Sequence, residues 1–282
     1  CITERLTRGL QGFDNLTAIR FRAHQIEPLG WKTIAVPEGD EVFRSRCLRA
    51  VLDAILKSGV SLETFIMGKE KGHILSKSAN VPYPALQLPL EYVQRLRSSF
   101  SGLTTLTLSV VAAHNGHHRL PGWENGLSRL IGSAPHLKHL TLSLDRKAQV
   151  SQYGARIVRS LSDSLQLEHL ESLHVCNTTV HESYMAKFLK AHAETLQRVH
   201  LTNVCLLTGI WLVLLTAFKG VKSLQTLRLA HIEGAGSPLQ FRQRDKERRK
   251  TTLDVNRSGR TMDELLDGII GACLDVPVAM YA

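Results

Sequence analysis

The chain has 282 residues, of which 43% are hydrophobic and 6% aromatic, and its formal net charge at pH 7 is +10. This is an ordinary globular composition, and the absence of any run of 18 apolar residues argues against a membrane-spanning helix. The positive charge favours acidic partners or polyanions.

The five cysteines indicate a reducing compartment. Their number is odd, their spacing is wide, and no Cys-x-x-Cys pair occurs. No signal-peptide pattern is visible either. We therefore expect reduced thiols in a cytoplasmic or nuclear protein. The cysteines are Cys1, Cys47, Cys176, Cys205 and Cys273.

One apolar pattern, Leu-x-x-Leu-x-Leu, recurs in seven segments spaced 26 to 46 residues apart. Residues two apart share a face of an extended chain, so each copy predicts a short strand with its apolar residues turned into the core. Self-similarity at this period predicts a solenoid, in which each unit buries its apolar side against its neighbours. The copies begin at Leu16, Leu62, Leu103, Leu137, Leu170, Leu196 and Leu224.

Helical periodicity fills the stretches between the strands. Apolar residues recur there at three- to four-residue spacing, which predicts amphipathic helices. The helix at 208–221 is apolar almost all round, so we expect the last helix to cover it as a cap. The predicted helices span 42–57, 90–100, 123–131, 150–165, 183–196, 208–221 and 262–273.

Alternating strands and helices predict an α/β leucine-rich-repeat solenoid of about seven irregular strand–helix units. Helices are about 10 Å wide and strands lie about 4.8 Å apart, so the chain should curve with its helices on the convex side. We expect a single domain over 1–282, with repeats at 1–232, a basic loop at 233–252 and a C-terminal cap at 253–282. The insertions at 68–88 and 113–122 predict further exposed loops.

Residues 157–229 resemble the leucine-rich-repeat region of fungal F-box-type proteins, and weaker similarity covers most of the chain. The resemblance rests on the phrases SAPHLKHLTL at 133–142, LKAHAETL at 189–196 and GIWxxLL at 209–215. In that family an N-terminal F-box binds the Skp1 adaptor of a ubiquitin ligase, and the repeats hold the substrate. The resemblance implies an intracellular, non-enzymatic protein–protein interaction module that recognises ligase substrates.

Two departures from the family pattern stand out. The segment 88–96 superficially resembles the opening of an F-box, but the repeat at Leu103 follows too soon, so an F-box would lie upstream of Cys1. The stricter repeat places Asn or Cys three residues after its last Leu. Those positions are Val111, Asp145, Thr178, Val204 and Ile232, so the sequence predicts that the buried asparagine ladder is missing.

The outward strand positions supply the candidate binding residues. If neighbouring strands align, His174, His200 and Arg228 form a ladder with steps of about 4.8 Å. No Asp or Glu occupies either outward register of the seven strands, so we expect this face to bind an acidic peptide or protein surface. The alternative is a solvated sheet face with incidental charges. The candidate partner-binding residues are Arg20, His139, His174, Arg198, His200 and Arg228.

The sequence contains no pattern for a catalytic, cofactor or metal site. No phosphate-binding glycine loop, Gly-x-Ser-x-Gly elbow or His-Glu-x-x-His motif occurs, so we predict no enzyme and no cofactor. His174 and His200 lack a third ligand, and the cluster of His114, His117 and His118 lacks a cysteine partner.

Two alternatives to the ligase role remain. The first is a freestanding repeat scaffold, and the second is a basic polyanion-binding protein without a ligase role. The run from Arg242 to Lys250 has six basic and two acidic residues. Only Phe241 adds an aromatic ring to it, which argues against specific nucleic-acid recognition.

Overall fold

The computed structural model describes residues 2–21, 40–67, 81–111, 122–144, 151–234, 237–238, 241–243, 246–250, 252–256 and 261–274. The chain divides into two compact units, unit 1 (Cys1–Asp145) and unit 2 (Arg146–Ala282). Each contains helices and a mostly parallel sheet, which confirms the predicted α/β class. In the described part of the chain no helix is both long and apolar enough to cross a membrane.

Unit 1 has four parallel strands at the first four Leu-x-x-Leu-x-Leu copies. Strands β1, β2, β4 and β5 are neighbours in that order, and β3 pairs with the last residues of β4. A short 3-10 helix at Tyr83–Leu86 follows β3. The elements are α1 (Ile2–Gln11), β1 (Ala18–Phe21), α2 (Asp40–Ser58), β2 (Thr64–Met67), β3 (Val81–Pro82), α3 (Leu90–Ser99), β4 (Thr105–Val111), α4 (Asn125–Gly132) and β5 (His139–Leu144).

Unit 2 has three parallel strands, β6, β7 and β8, at the last three copies, and β13 adds an antiparallel strand beside β8. The short strand β9 continues along β7 beyond the end of β8. The elements are α5 (Ser151–Ser164), β6 (Ser172–His181), α6 (Glu182–Ala191), β7 (Arg198–Thr208), α7 (Trp211–Lys219), β8 (Thr226–Ala230), β9 (Glu233–Gly234), β10 (Ser237–Pro238), β11 (Phe241–Gln243), β12 (Lys246–Lys250), β13 (Thr252–Asn256) and α8 (Met262–Leu274).

The repeated apolar positions form the core of each unit. Paired copies align residue for residue, so Leu106 pairs with Leu140, and Val199 pairs with Leu227. These side chains are at most 1% exposed, while the residues between them are half-buried or exposed. One face of each sheet is therefore buried and the other is open. The first copy is the exception, because Leu16 and Ile19 are only half-buried.

The same main-chain contact recurs at each described step from one copy to the next within a unit. Two consecutive N–H groups of one copy donate to a single carbonyl of the copy before, with N–O distances of 2.8 to 3.0 Å. The accepting carbonyl always belongs to the residue after the first Leu of a copy. It is provided by Thr17, Glu63, Thr104, Glu171 and Gln197. This contact fixes the register of each strand on the preceding one.

Unit 2 also repeats a left-handed turn two residues after the last apolar position of each copy. Asn177, Asn203 and His231 occupy it with φ values of 54°, 54° and 51°. The Nδ2 of Asn203 donates to the Oδ1 of Asn177 at 2.8 Å. Asparagine tolerates this backbone region better than most residues. The ladder position of the stricter repeat lies one residue later, where unit 2 has Thr178, Val204 and Ile232. Asn177 and Asn203 are half-buried, so this pair is a feature separate from the buried asparagine ladder.

The helices of unit 2 pack in chain order, α5 on α6, α6 on α7 and α7 on α8. Helix α5 approaches β6 so closely at Gly154 that an added Cβ would clash with the Thr178 hydroxyl. The expected contact between α8 and α7 is present, and the Lys219 ammonium lies 2.6 Å from the Asp267 carboxylate. Ile210 and Val213 nevertheless stay about half exposed at 50% and 46%.

Buried His192 joins α6 to the chain before β6. Its Nδ1 lies 2.8 Å from the Phe188 carbonyl, and the Leu167 N–H donates to its Nε2 at 3.1 Å. Both ring nitrogens are thus satisfied by a neutral imidazole that donates from Nδ1. Burial lowers the pKa of His192 below its usual range.

Several predicted loops differ from the structure. The end of the 68–88 loop is buried, since Val81 and Leu86 are fully inaccessible and Tyr83 is 2% exposed. The predicted basic loop at 233–252 contains the short strands β9 to β12. Helix α1 was not predicted. The loop at 113–122 and its histidines lie outside the described residues except for Gly122.

Candidate functional site

The open face of unit 2 carries most of the predicted binding residues. We define it as the outward positions of β6, β7, β8 and β13. Since only one face of this sheet is buried, the main chain presents every second side chain of these strands outward. The outward side chains of this face are therefore the candidate site of unit 2.

Two rows of polar residues cross this face in register. His174 pairs with His200 and His200 with Arg228, so the predicted alignment of the three residues is confirmed. We call these three residues the His-Arg row. A second row runs beside it through Ser172, Arg198 and Thr226.

The two imidazoles of the His-Arg row are in direct contact. Their ring centroids are 5.7 Å apart, and the planes cross at 73°, an edge-to-face arrangement. The Thr202 hydroxyl oxygen lies 3.5 Å from the Nε2 of His174. Both histidines are half-buried, so their nitrogens are within reach of a ligand that lies on the sheet.

The face is not free of carboxylates, which corrects the expectation drawn from the seven strands alone. Strand β13 brings Asp254 opposite Arg228, with 3.3 Å between Asp254 Oδ1 and Arg228 Nε. The two side chains are 55% and 50% exposed. An exposed pair of this kind contributes at most about 1 kcal/mol, so Arg228 can exchange Asp254 for a carboxylate of a partner.

The other two candidate residues belong to unit 1. Arg20 is exposed on β1 and pairs with Ile66 of β2. His139 is half-buried on β5 and pairs with Thr105 of β4. The open face of unit 1 thus carries these basic residues singly, among threonines and an isoleucine.

Asp254 is the residue that the sequence prediction missed on this face. The segment TLDVN at 252–256 alternates polar and apolar residues, which is a strand signal. Val255 is buried and Asp254 exposed, as that alternation predicts. The predicted C-terminal cap at 253–282 obscured this short strand.

The described residues do not assemble a metal site. Among them, no group of three or more His, Cys, Asp or Glu side chains is arranged to hold a metal ion. The three cysteines whose side chains are described, Cys47, Cys176 and Cys205, form no disulfide. Burial raises the pKa of the Cys47 thiol, which disfavours its reactive thiolate form.

A groove of about 420 Å³ lies in unit 1, between α2 and residues 82–88. Arg49 lines it, but its guanidinium stacks on the Tyr92 ring at 3.8 Å and its Nε lies 3.3 Å from the Asp53 carboxylate. Tyr92 in turn donates to Asp53 at 2.7 Å. Because this cation is already engaged, the groove is a weaker candidate than the open face of unit 2.

Comparison with known proteins adds no family to these observations. No protein-family model matches the chain, and no curated protein matches it significantly.

Proposed function

We propose that this chain is a non-enzymatic protein–protein interaction module built as a curved leucine-rich-repeat solenoid with helices on its convex side. The observation that carries the proposal is the recurring main-chain contact, in which two N–H groups of each copy share one carbonyl of the copy before. A contact conserved in geometry from copy to copy is what stacked, equivalent units require. The left-handed positions at Asn177, Asn203 and His231 support the same architecture.

The ligand in this proposal is an acidic segment of a protein, held on the open face of unit 2. Arg198, His200 and Arg228 present three basic groups on neighbouring strands, and carboxylates form strong charge-assisted hydrogen bonds with such groups. Arg20 and His139 on unit 1 are secondary candidates. The net charge of +10 adds long-range attraction for an acidic partner.

Peptide binding tests the proposal. We expect an Asp-rich peptide to bind the chain with an affinity at least tenfold higher than a Ser-substituted peptide of equal length, as measured by fluorescence anisotropy. The double variant Arg198→Glu with Arg228→Glu should abolish binding. The matched control is Arg156→Glu with Lys190→Glu, which changes the charge equally at exposed helix positions of unit 2. Equal losses in both variants would reduce the effect to net charge and contradict the assigned site.

The cellular role in this proposal is that of the substrate-recognition region of an F-box-type ubiquitin ligase receptor in the cytoplasm or nucleus. It rests on the resemblance of residues 157–229 to that family. The transcript upstream of Cys1 tests it. A coding F-box there, together with capture of a Skp1-type adaptor by the longer protein, would support it. A start codon at or near Cys1 would leave a freestanding repeat scaffold.

A second candidate function is polyanion binding by the ribbon of β11 and β12. In this antiparallel pair, Arg242 lies directly opposite Arg249. The run from Arg242 to Lys250 holds six basic and two acidic residues, a charge balance that attracts polyanions. We expect retention on heparin or DNA that falls steeply with salt, and that weakens in Arg242→Ser with Arg249→Ser. Retention that this variant leaves unchanged would remove the candidate.

A further inference from the structure

We infer that the open face of unit 2 binds its acidic partner in a proton-dependent manner, with His174 and His200 as the groups that take up the protons. This inference rests on the proposed function, since it concerns the regulation of the same face. Its physical basis is the contact between the two imidazoles of the His-Arg row, in which His200 lies beside Arg228.

Histidine is the side chain whose charge changes nearest to neutral pH, with an unperturbed pKa of about 6.5. His174 and His200 lie edge to face, with 5.7 Å between the ring centroids. Two groups this close titrate as a coupled pair, because a proton on one ring disfavours a proton on the other. A carboxylate placed across both rings removes that penalty, so ligand binding and proton uptake favour each other.

The other charged and titratable side chains on this face set its charge while the histidines are neutral. Strand β7 contributes Arg198, β8 contributes Arg228, and β13 contributes Asp254, while Cys176 of β6 is a half-buried thiol. Glu171 is half-buried and directly precedes β6, so it lies outside the positions that define the face. Asp254 offsets one of the two arginines, so the face is weakly positive while the histidines are neutral, and protonated histidines add further positive charge.

The face therefore changes from weakly to strongly positive when the histidines are protonated. An acidic segment gains attraction over the same interval. By linkage, the affinity must rise as the pH falls through the pKa values of the histidine pair. Unit 1 has no equivalent pair among its described residues, since His136 and His139 are the described histidines there.

The test measures the affinity of an Asp-rich peptide at about pH 7.5 and about pH 5.5, on either side of the ordinary imidazole pKa of about 6.5. Aspartates stay ionised over this interval. We expect binding about fivefold tighter at the lower pH, which is the change over this interval when the ligand raises one histidine pKa of about 6.5 by about one unit. Circular dichroism at both values confirms that the chain is folded.

Three variants separate the possible outcomes. His174→Asn with His200→Asn should keep weak binding but lose its pH dependence, while His200→Lys should bind tightly at both pH values. The control His169→Asn removes an exposed histidine from the turn before β6 and should behave as the parent chain. Nuclear magnetic resonance of the imidazoles should show the pKa values of His174 and His200 rising when the peptide binds.

The failures of the two proposals are distinguishable. Absence of peptide binding at both pH values would overturn the proposed function itself. Binding that is equally tight at both values, or a pH dependence that survives in His174→Asn with His200→Asn, would overturn only the proton-dependent inference.

Discussion

The open faces of the two units differ in chemistry although their main chains are organised alike. Both units align Leu-x-x-Leu-x-Leu copies in parallel and share the bond from two N–H groups to one carbonyl. In unit 1 the outward row around Thr107 and Thr141 is neutral apart from Arg20 at its end. In unit 2 the equivalent row contains two histidines and an arginine. The two units thus share one scaffold, and the basic side chains that we propose for recognition are concentrated in unit 2.

The largest expected effect tests the shared scaffold. Leu108→Ala in unit 1 and Leu201→Ala in unit 2 each remove a fully buried side chain from equivalent positions. Each should lower the free energy of unfolding by about 3 kcal/mol through lost burial and the cavity left behind. Urea denaturation measures both. A cost below about 1 kcal/mol in one unit alone would show that the two cores are not equivalent.

The second-largest effect is a loss of folding stability at low pH, which we assign to His192 of unit 2. Burial lowers the folded-state pKa of His192 below the unfolded value of about 6.5. The unfolded state then binds the proton more readily, so the contribution of His192 to stability is fully present above pH 6.5. It is lost as the pH falls through 6.5 toward the folded-state pKa, with a slope of at most about 1.4 kcal/mol per pH unit.

Urea midpoints measured across this pH interval check the acid effect. His192→Gln cannot titrate there, so its stability should vary less with pH than that of the parent chain. If the two pH profiles have the same slope, another group causes the acid sensitivity.

The pair of Asn177 and Asn203 distinguishes unit 2 from unit 1. The described residues of unit 1 contain no positive-φ residue other than glycine. Asn203→Ala deletes the bond to Asn177 and places alanine at a φ of 54°. We expect a loss of about 2 kcal/mol, measured by thermal or urea denaturation. Asn203→Gly keeps the backbone freedom and deletes only the amide, so it should cost less. A larger loss in the glycine variant would contradict the role of the left-handed turn.

The smallest effect on stability should accompany a visible effect on binding. Asp254→Asn removes the exposed partner of Arg228 and should change the free energy of unfolding by less than about 1 kcal/mol. The same change releases Arg228, so the Asp-rich peptide should bind about two- to threefold more tightly, a gain within what one exposed ion pair contributes. Weaker binding would mean that Asp254 helps to build the site instead of competing with the ligand.

The apolar pattern predicted the strands and their register because a period of two on one buried face leaves little freedom for slippage. His174, His200 and Arg228 each lie between the last two apolar positions of a copy. Aligning the apolar positions therefore aligned these three residues as well.

Other features depend on tertiary contacts that the apolar pattern of the sequence does not predict. Strand β13 has only five residues, and its place beside β8 is set by the return of the chain after the repeats. The burial of Tyr83 depends on its edge-to-face contact with Trp123, at 4.9 Å between ring centroids. Asn177 and Asn203 escaped the sequence prediction because the expected asparagine position was one residue later.

Chemical-shift mapping of the Asp-rich peptide on the isotope-labelled chain tests most directly whether the open face of unit 2 is the binding site. We expect the amide and imidazole signals of β6, β7 and β8 to move together, with His174, His200 and the neighbours of Arg228 moving most, while signals of β1 to β5 stay in place. Shifts centred on the strands of unit 1, or on the groove between α2 and residues 82–88, would contradict the assigned site.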